Sequence, residues 1–168
     1  MNTRDGQPNY TESTQDGWRN YKFVEHTICL QQCRNTEDFY TSAKAFEQFQ
    51  KNLSGYDAST LHETIPDFHN TPDRLRKFKE ALAADTMHRA ADIPEEIDFV
   101  LNHEADCSHM TDLLAAGKLP LRVTHNDTKL NNILLDDKTN AAICIIDLDT
   151  VVQGLAPNDY GDSLSFSA

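Results

Sequence analysis

Glycine is scarce in this chain, and the few glycines are scattered. Six of them are spread over 168 residues, so no stretch reads as a glycine-rich loop built to cradle phosphates through backbone N–H groups. Basic residues are also few. Lys and Arg total 15 against 27 Asp and Glu, a net charge of −12, which excludes the Lys/Arg concentration that a nucleic-acid backbone demands. No apolar run approaches the roughly 20 residues of a bilayer span. The polar opening Met1 to Gln15 lacks the character of a secretory signal, so a cytoplasmic chain with neither membrane nor nucleic acid as partner is expected. Four cysteines form no framework: Cys29 and Cys33 are separated by three residues, Cys107 is isolated and Cys144 sits in an apolar run. Free thiols, buried or half-buried, are the expectation. His103, Cys107 and His109 are metal-ligand types, but no fourth ligand recurs nearby, and one helical turn separates the first two. A zinc site there is the weaker reading.

What is present describes one ordinary domain. Hydrophobic residues make up 39% and charged residues 25%, enough for a core without the signature of disorder. Residues 1–17 are polar, with Asp5-Gly6 and Asp16-Gly17 as turn signals. Tyr21, Phe23 and Val24 predict a strand ending near Glu25. Phe39, Ala43, Phe46, Phe49 and Leu53 recur at helical spacing, with Asn35 as N-cap, Glu37 and Asp38 in the first turn and Gly55 as stop. A second helix is expected from Pro72 to about Ala91, facing Leu75, Phe78, Leu82 and Met87 inward. A third opens at Pro94 and stops at Gly117, with a possible break in its polar middle, Glu104 to His109.

The pattern changes at Leu121. Leu121 to Thr124 is a short extended entry. Ile133 to Leu135 and Ala142 to Ile146 are apolar, partly β-branched runs flanking Asp136-Asp137-Lys138-Thr139-Asn140, and they read as an antiparallel hairpin. A hairpin brings together the residue before its first strand and the residue after its second, here Asn132 and Asp147. An amide oxygen and a carboxylate at that open end suit a hard cation such as Mg2+. Just upstream, Asp127 lies five residues before Asn132, with Lys129 between them. Phosphoryl transfer needs a base, a metal and positive charge near the moving group. Asp127 fits the base, Asn132 and Asp147 the metal ligands, and Lys129 the electrostatic stabiliser.

His125-x-Asp127-x-Lys129-x-x-Asn132, followed by an apolar strand, a turn and Ile145-Ile146-Asp147, resembles the catalytic segment of the protein-kinase-like superfamily. With Thr124-His125-Asn126-Asp127 and Ile146-Asp147-Leu148-Asp149, it is most similar to the aminoglycoside phosphotransferase family of small-molecule kinases, and within it to the N-acetylhexosamine 1-kinase branch. The likeness spans most of the chain and is sharp from Val123 to about Asp162. It implies an α+β protein-kinase-like fold, ATP and Mg2+ as cofactors, and a small-molecule hydroxyl, such as that of an N-acetylhexosamine, as acceptor. It further implies that Asp127 is the catalytic aspartate, that Asn132 and Asp147 hold magnesium, and that His125 braces the catalytic loop. Tyr21 to Thr27 would then be the last N-lobe strand and hinge, with the backbone of Glu25, His26 and Thr27 meeting the adenine edge. Residues 1–24 would be a remnant of the N-lobe and 25–168 a partial, mostly helical C-lobe.

The departures are informative. Asp149 stands where a protein kinase has glycine, which points toward small-molecule kinases. No Val-Ala-x-Lys strand precedes the hinge, Lys22 sits in the hinge strand itself, and the chain stops 21 residues after Asp147. An enzyme incomplete at both ends is therefore expected. Asp127 read alone is a loop-capping acid and His125 read alone a core histidine; their joint spacing with Asn132 and Asp147 carries the catalytic reading. Asp149 is divided between a metal or substrate contact and a loop hydrogen-bonder. Asp159 to Asp162 is expected to brace the catalytic loop, and His69 to be a helix-entry loop residue before a substrate contact. Two alternatives stand beside the kinase: a kinase relative that binds without turnover, and a metal-dependent hydrolase built on His125, Asp127, Asp147 and Asp149.

Overall fold

The computed structural model describes residues 6, 10–11, 17–18 and 20–167. Most of the segment expected to be an N-lobe remnant, including Asp5 and Asp16 of the two turn signals, lies outside them. Within 1–18 one short ladder is described, β1 (Tyr10–Thr11) against β2 (Gly17–Trp18).

The hairpin forms as its apolar runs and polar turn require. β5 (Ile133–Asp136) pairs antiparallel with β6 (Ala142–Ile145), Ile133 opposite Ile145. The Asp136 carboxylate accepts from the backbone N–H groups of Lys138 and Thr139 and so closes the turn. A third strand joins on the other side, β3 (Thr27–Ile28), with Thr27 opposite Asp136. Here the structure corrects the sequence reading. Tyr21 to Val24 is not a strand; the chain bends at Glu25 and His26, and pairing begins at Thr27. Tyr21 and Phe23 have strand-forming side chains, but propensity without a partner strand does not make a ladder.

Against this sheet packs α1 (Thr36–Asn52), capped by Asn35, whose side chain accepts from the N–H groups of Glu37 and Asp38. Phe46, Ile133 and Leu135 form the buried centre, with Ile28, Leu30, Ala45 and Ile145 around it. The buried face of α1 is not the aromatic stripe alone. Ala43 is exposed, whereas Asp38 and Ser42 join Phe46 in the interior. Asp38 is buried because it is paired: Arg34 forks onto it through Nε and Nη2 at 2.8 Å each, and Asn140 of the hairpin turn donates to it at 2.8 Å. Arg34 also donates to Asn140 at 2.7 Å. This network ties the start of α1 to the tip of the hairpin.

The Arg34 guanidinium holds the Asp38 carboxyl well below the usual carboxylate range, against the opposing effect of burial. A carboxyl with a depressed folded pKa stabilises fully above its unfolded value of roughly pH 4 and loses that contribution as pH falls toward the folded value. Asp38→Asn should therefore lower Tm at pH 7 and flatten the loss of Tm between roughly pH 4 and 2. Parallel melting curves of both proteins across that range check this, and parallel pH profiles would remove Asp38 from the acid response.

The helical region between sheet and loop is looser. α2 (Thr71–Ala84) opens on the Asn70 cap with Pro72 in its first turn and ends at Asp85, which is left-handed. It is shorter than expected, and Met87 lies beyond it, exposed rather than inward. α3 (Pro94–Asn102) and α4 (His109–Ala115) are separated at the polar middle, where a break was anticipated, and Gly117 follows with positive φ. None of these three helices has a fully buried side chain.

Two further elements complete the frame of the loop. β4 (Arg122–Thr124) pairs antiparallel with β7 (Val152–Gly154), Thr124 opposite Val152. A Cβ at Gly154 would sit 2.2 Å from Thr124 Oγ1, so a side chain there would force the buried Thr124 hydroxyl out of place. α5 (Ala156–Ser167) then runs beneath the loop that follows β4. The described residues thus form an α+β arrangement in which β4, the hairpin and α5 surround residues 125–132. The four cysteines are free; Cys29 and Cys144 are exposed, not covered as expected. Among the described residues no helix is long and apolar enough to cross a membrane.

Candidate functional site

The loop from His125 to Asn132 is held from below by α5. Asp159, almost completely buried, accepts from the backbone N–H of His125 at 2.9 Å and of Asn126 at 2.8 Å. Gln50 of α1 donates to the same carboxylate at 2.6 Å. One turn later Asp162 accepts from the Thr128 N–H at 2.6 Å, and the Thr128 hydroxyl donates to the Asp159 carbonyl at 2.7 Å. Three backbone donors that no strand or helix satisfies are met by two carboxylates spaced three apart on one helix face. The bracing expected of Asp159 to Asp162 is what the geometry shows.

His125 is fully buried. Its ring stands edge-on to Phe46 and Phe49 at 5.4 and 5.5 Å, and Nε2 meets the Ile146 carbonyl at 3.1 Å. A carbonyl only accepts, so Nε2 carries the hydrogen. His125 therefore joins the loop to β6 from beneath and presents no nitrogen to the surface. It cannot serve as a ligand in the hydrolase reading. Among the described residues no group of three or more His, Cys, Asp or Glu is placed to hold a metal ion.

Asn126 turns the chain outward with φ +64°, a left-handed conformation that asparagine tolerates better than most residues. Its Nδ2 donates to the Thr150 carbonyl at 2.8 Å, while the Thr150 hydroxyl donates to the His125 carbonyl at 2.7 Å. Asp127 then emerges partly exposed, its two oxygens held separately. Lys129 Nζ is 2.7 Å from Oδ1, and Asn132 Nδ2 donates to Oδ2 at 2.9 Å. Asn132 also donates to the Asp127 backbone carbonyl at 2.9 Å, which fixes the loop's span of five residues. The Asp127 carboxylate raises the Lys129 ammonium above its ordinary value, with Asp162 and Asp147 adding to the effect against partial desolvation. Lys129 also lies 5.3 Å from the centre of the Phe166 ring, a contact with α5 that the sequence does not signal.

The far end of the hairpin carries Asp147. Ile146 N–H donates to the Asn132 carbonyl at 2.9 Å, so Asp147 lies one residue past the position across from Asn132. It is exposed, and its φ of +60° and ψ of +56° are left-handed. With its Nδ2 engaged by Asp127, Asn132 retains Oδ1, and Asp147 supplies a carboxylate. Both are hard oxygen donors of the kind Mg2+ takes, with phosphate oxygens and water as the usual remaining ligands. The donor set fits the ion.

Asp147 and Asp149 also line a cavity of about 650 Å³. Its other lining residues are the chain from Tyr21 to Val24 with Thr27, and Leu134, Cys144, Ile145, Ile146 and Leu148 of the hairpin and the turn after it. A largely apolar cavity of this volume with two carboxylates in its lining has the size and character of a small-molecule site. Of the three residues expected at an adenine edge, Thr27 lines it. Glu25 and His26 do not, and the His26 carbonyl is taken by the Asp137 N–H at 3.0 Å. The apolar wall precedes them, because the bend at residues 25–26 turns the backbone toward the hairpin tip. Asp149 receives a hydrogen bond on its carbonyl from the Thr64 hydroxyl at 3.1 Å. His69 is half-buried against the loop, its pKa lowered by burial and by Arg74, with Asp159, Asp162 and Asn126 opposing.

These features define a loop-borne carboxylate clamped by an amide and an ammonium, beside a cavity edged with acids. The model of the APH group, the phosphotransferase enzyme family, matches residues 5–168. The chain belongs to that family and is a phosphotransferase of the kinase-like kind.

Proposed function

We propose that this protein is an ATP-dependent kinase that phosphorylates a hydroxyl of a small molecule, with an N-acetylhexosamine or related sugar as acceptor. The observation that supports it most is the Asp127 carboxylate, with one oxygen on Lys129 and the other on Asn132. Such an arrangement keeps the carboxylate oriented while one lone pair can accept the acceptor's proton. The hydroxyl oxygen attacks the γ-phosphorus, the bond to the β–γ bridging oxygen breaks, ADP leaves, and the hydroxyl proton passes to Asp127. Lys129 sets positive charge beside the transferring group. Kinases of this family generally use ATP with Mg2+; here Asn132 and Asp147 would hold the ion, which neutralises phosphate charge when bound. The adenine would enter the apolar slot between Tyr21–Val24 and the hairpin, with Thr27 at its edge. Residues 25–168 would form the large lobe, and 1–24 would belong to the small one. A cytoplasmic setting, where ATP is available, and a small-molecule partner rather than nucleic acid fit the net charge of −12.

The assay supplies Mg-ATP with N-acetylglucosamine, N-acetylgalactosamine or no acceptor, and follows ADP, sugar phosphate and inorganic phosphate. ADP and sugar phosphate should appear in equal amounts, with little phosphate release in the absence of acceptor. Rapid phosphate release without acceptor would identify a hydrolase, and nucleotide binding without either product a binding module.

A further inference from the structure

We propose that His69 is a positioning residue for the catalytic loop, donating a hydrogen bond from Nε2 to Oδ1 of Asn126. The inference rests on the reading of Asp127 as the base, which Asn126 immediately precedes. Both atoms are buried, and neither has a hydrogen-bond partner among the described residues. They belong to neighbouring side chains, since the Asn126 amide acts on the titration of the His69 ring. Asn126 is 3% exposed, so water has little access to its oxygen. Its other polar groups are committed: the backbone N–H to Asp159, and Nδ2 to Thr150 with a longer contact to the Thr124 carbonyl at 3.4 Å. What remains is one buried acceptor without a donor and, on a neighbouring side chain, one buried ring nitrogen without a partner. A small rotation that joins them satisfies both, and leaving both unmet is costly.

The segment that carries His69 is built to hold it there. Asn70 caps α2 by accepting from the Asp73 N–H at 3.1 Å. The Arg74 guanidinium donates to the Phe68 carbonyl and lies over the Phe68 ring. The Phe68 and His69 rings are 4.7 Å apart. Five residues before His69, Thr64 reaches the Asp149 carbonyl. The chain from Thr64 to Asn70 thus touches the turn after Asp147. The left-handed backbone of Asn126 sets the direction in which Asp127 leaves the core. A bond from His69 would fix that residue on its one unanchored side.

The test compares wild type with His69→Phe, which keeps a ring without a donor, and His69→Gln, which restores an N–H. With Mg-ATP and N-acetylglucosamine, His69→Phe should lower kcat by about 10–100-fold with KM for ATP changed by no more than about twofold, and His69→Gln should recover most of the loss. Equal losses in both variants, or a change in KM alone, would overturn the proposal. Long-range 1H–15N spectra of the labelled wild-type protein supply a readout independent of turnover. An Nε2–H tautomer for His69, with an Asn126 side-chain signal that shifts in His69→Phe and returns in His69→Gln, supports the bond. An Nδ1–H tautomer, or an Asn126 signal indifferent to both substitutions, refutes it. Should wild type turn over no acceptor, the kinase reading fails, while the spectra still decide the hydrogen bond.

Discussion

Asp127→Asn should lower kcat for the acceptor by about 10²–10⁴-fold, the range that loss of one positioned general base produces. The substitution is nearly isosteric, and an asparagine Oδ1 can still accept from Lys129 or Asn132. The clamp loses charge more than shape. An amide oxygen is a very weak base, so the acceptor's proton has nowhere to go as the oxygen–phosphorus bond forms. Lys129 would lose the partner that raises its pKa most, although it would remain an ammonium at neutral pH. Nucleotide affinity should change little, because the cavity that would receive the base is lined by Tyr21–Val24, Thr27 and the hairpin, not by Asp127. Steady-state kinetics with acceptor and ATP varied separately resolve the two effects. An unchanged kcat would remove Asp127 from the mechanism, and a large rise in KM for ATP alone would make it a nucleotide contact.

The parts of the site that were legible in the sequence are those fixed by short-range geometry. A polar five-residue turn between apolar runs defines a hairpin, and a hairpin defines which residues meet at its open end. The spacing from Asp127 to Asn132 is a loop length, and the structure shows the bond that sets it. Asn35, Pro94 and Gly117 mark helix ends for local reasons of capping and backbone freedom, and each acts where expected. Pairings distant in sequence were not legible. β4 meets β7 about thirty residues later, and no signal in Val152-Gln153-Gly154 announces it. The helix α5 was not read as one, since Gly161 is a poor helix residue, although the bracing of the loop by Asp159 to Asp162 was expected and is seen.

Buried polar residues were the systematic blind spot. Asp38 was read only as a first-turn acid and Ser42 was not singled out, yet both are buried, and Asp38 is interior because Arg34 and Asn140 both donate to its carboxylate. Apolar periodicity cannot reveal a face whose burial depends on partners elsewhere. The same holds for the wall of the cavity. Tyr21 and Phe23 looked like strand residues because their side chains suit strands. They serve instead as irregular backbone beside an apolar slot, a role with no period to detect.

Asp147 should show a conflict between stability and binding that separates it from an ordinary turn residue. Its backbone is left-handed, a conformation that costs a non-glycine residue about 1 kcal/mol or more, and its side chain is exposed and makes no capping hydrogen bond to the turn that follows. Asp147→Gly should therefore relieve the strain, partly offset by the greater freedom of glycine in the unfolded chain. Its Tm should be equal to or above that of wild type. Binding should respond in the opposite sense. If Asp147 and Asn132 hold Mg2+, loss of the carboxylate leaves nucleotide phosphates less neutralised beside Asp149 and Asp127. Asp147→Gly and Asp147→Asn should then both weaken Mg-ATP binding by about 10–100-fold, equivalent to roughly 1.4–2.8 kcal/mol. The asparagine variant matters because it keeps a side chain that tolerates left-handed backbone and removes only charge. Affinity for ATP in EDTA should be unaffected or slightly improved, since a negative group near the phosphates is gone. Calorimetric titration of ATP into the three proteins, with and without Mg2+, gives the four comparisons. Equal affinities at every Mg2+ concentration would falsify the ligand assignment. A fall in Tm for Asp147→Gly would show instead that the carboxylate stabilises the turn, and that its left-handed backbone serves folding rather than metal binding.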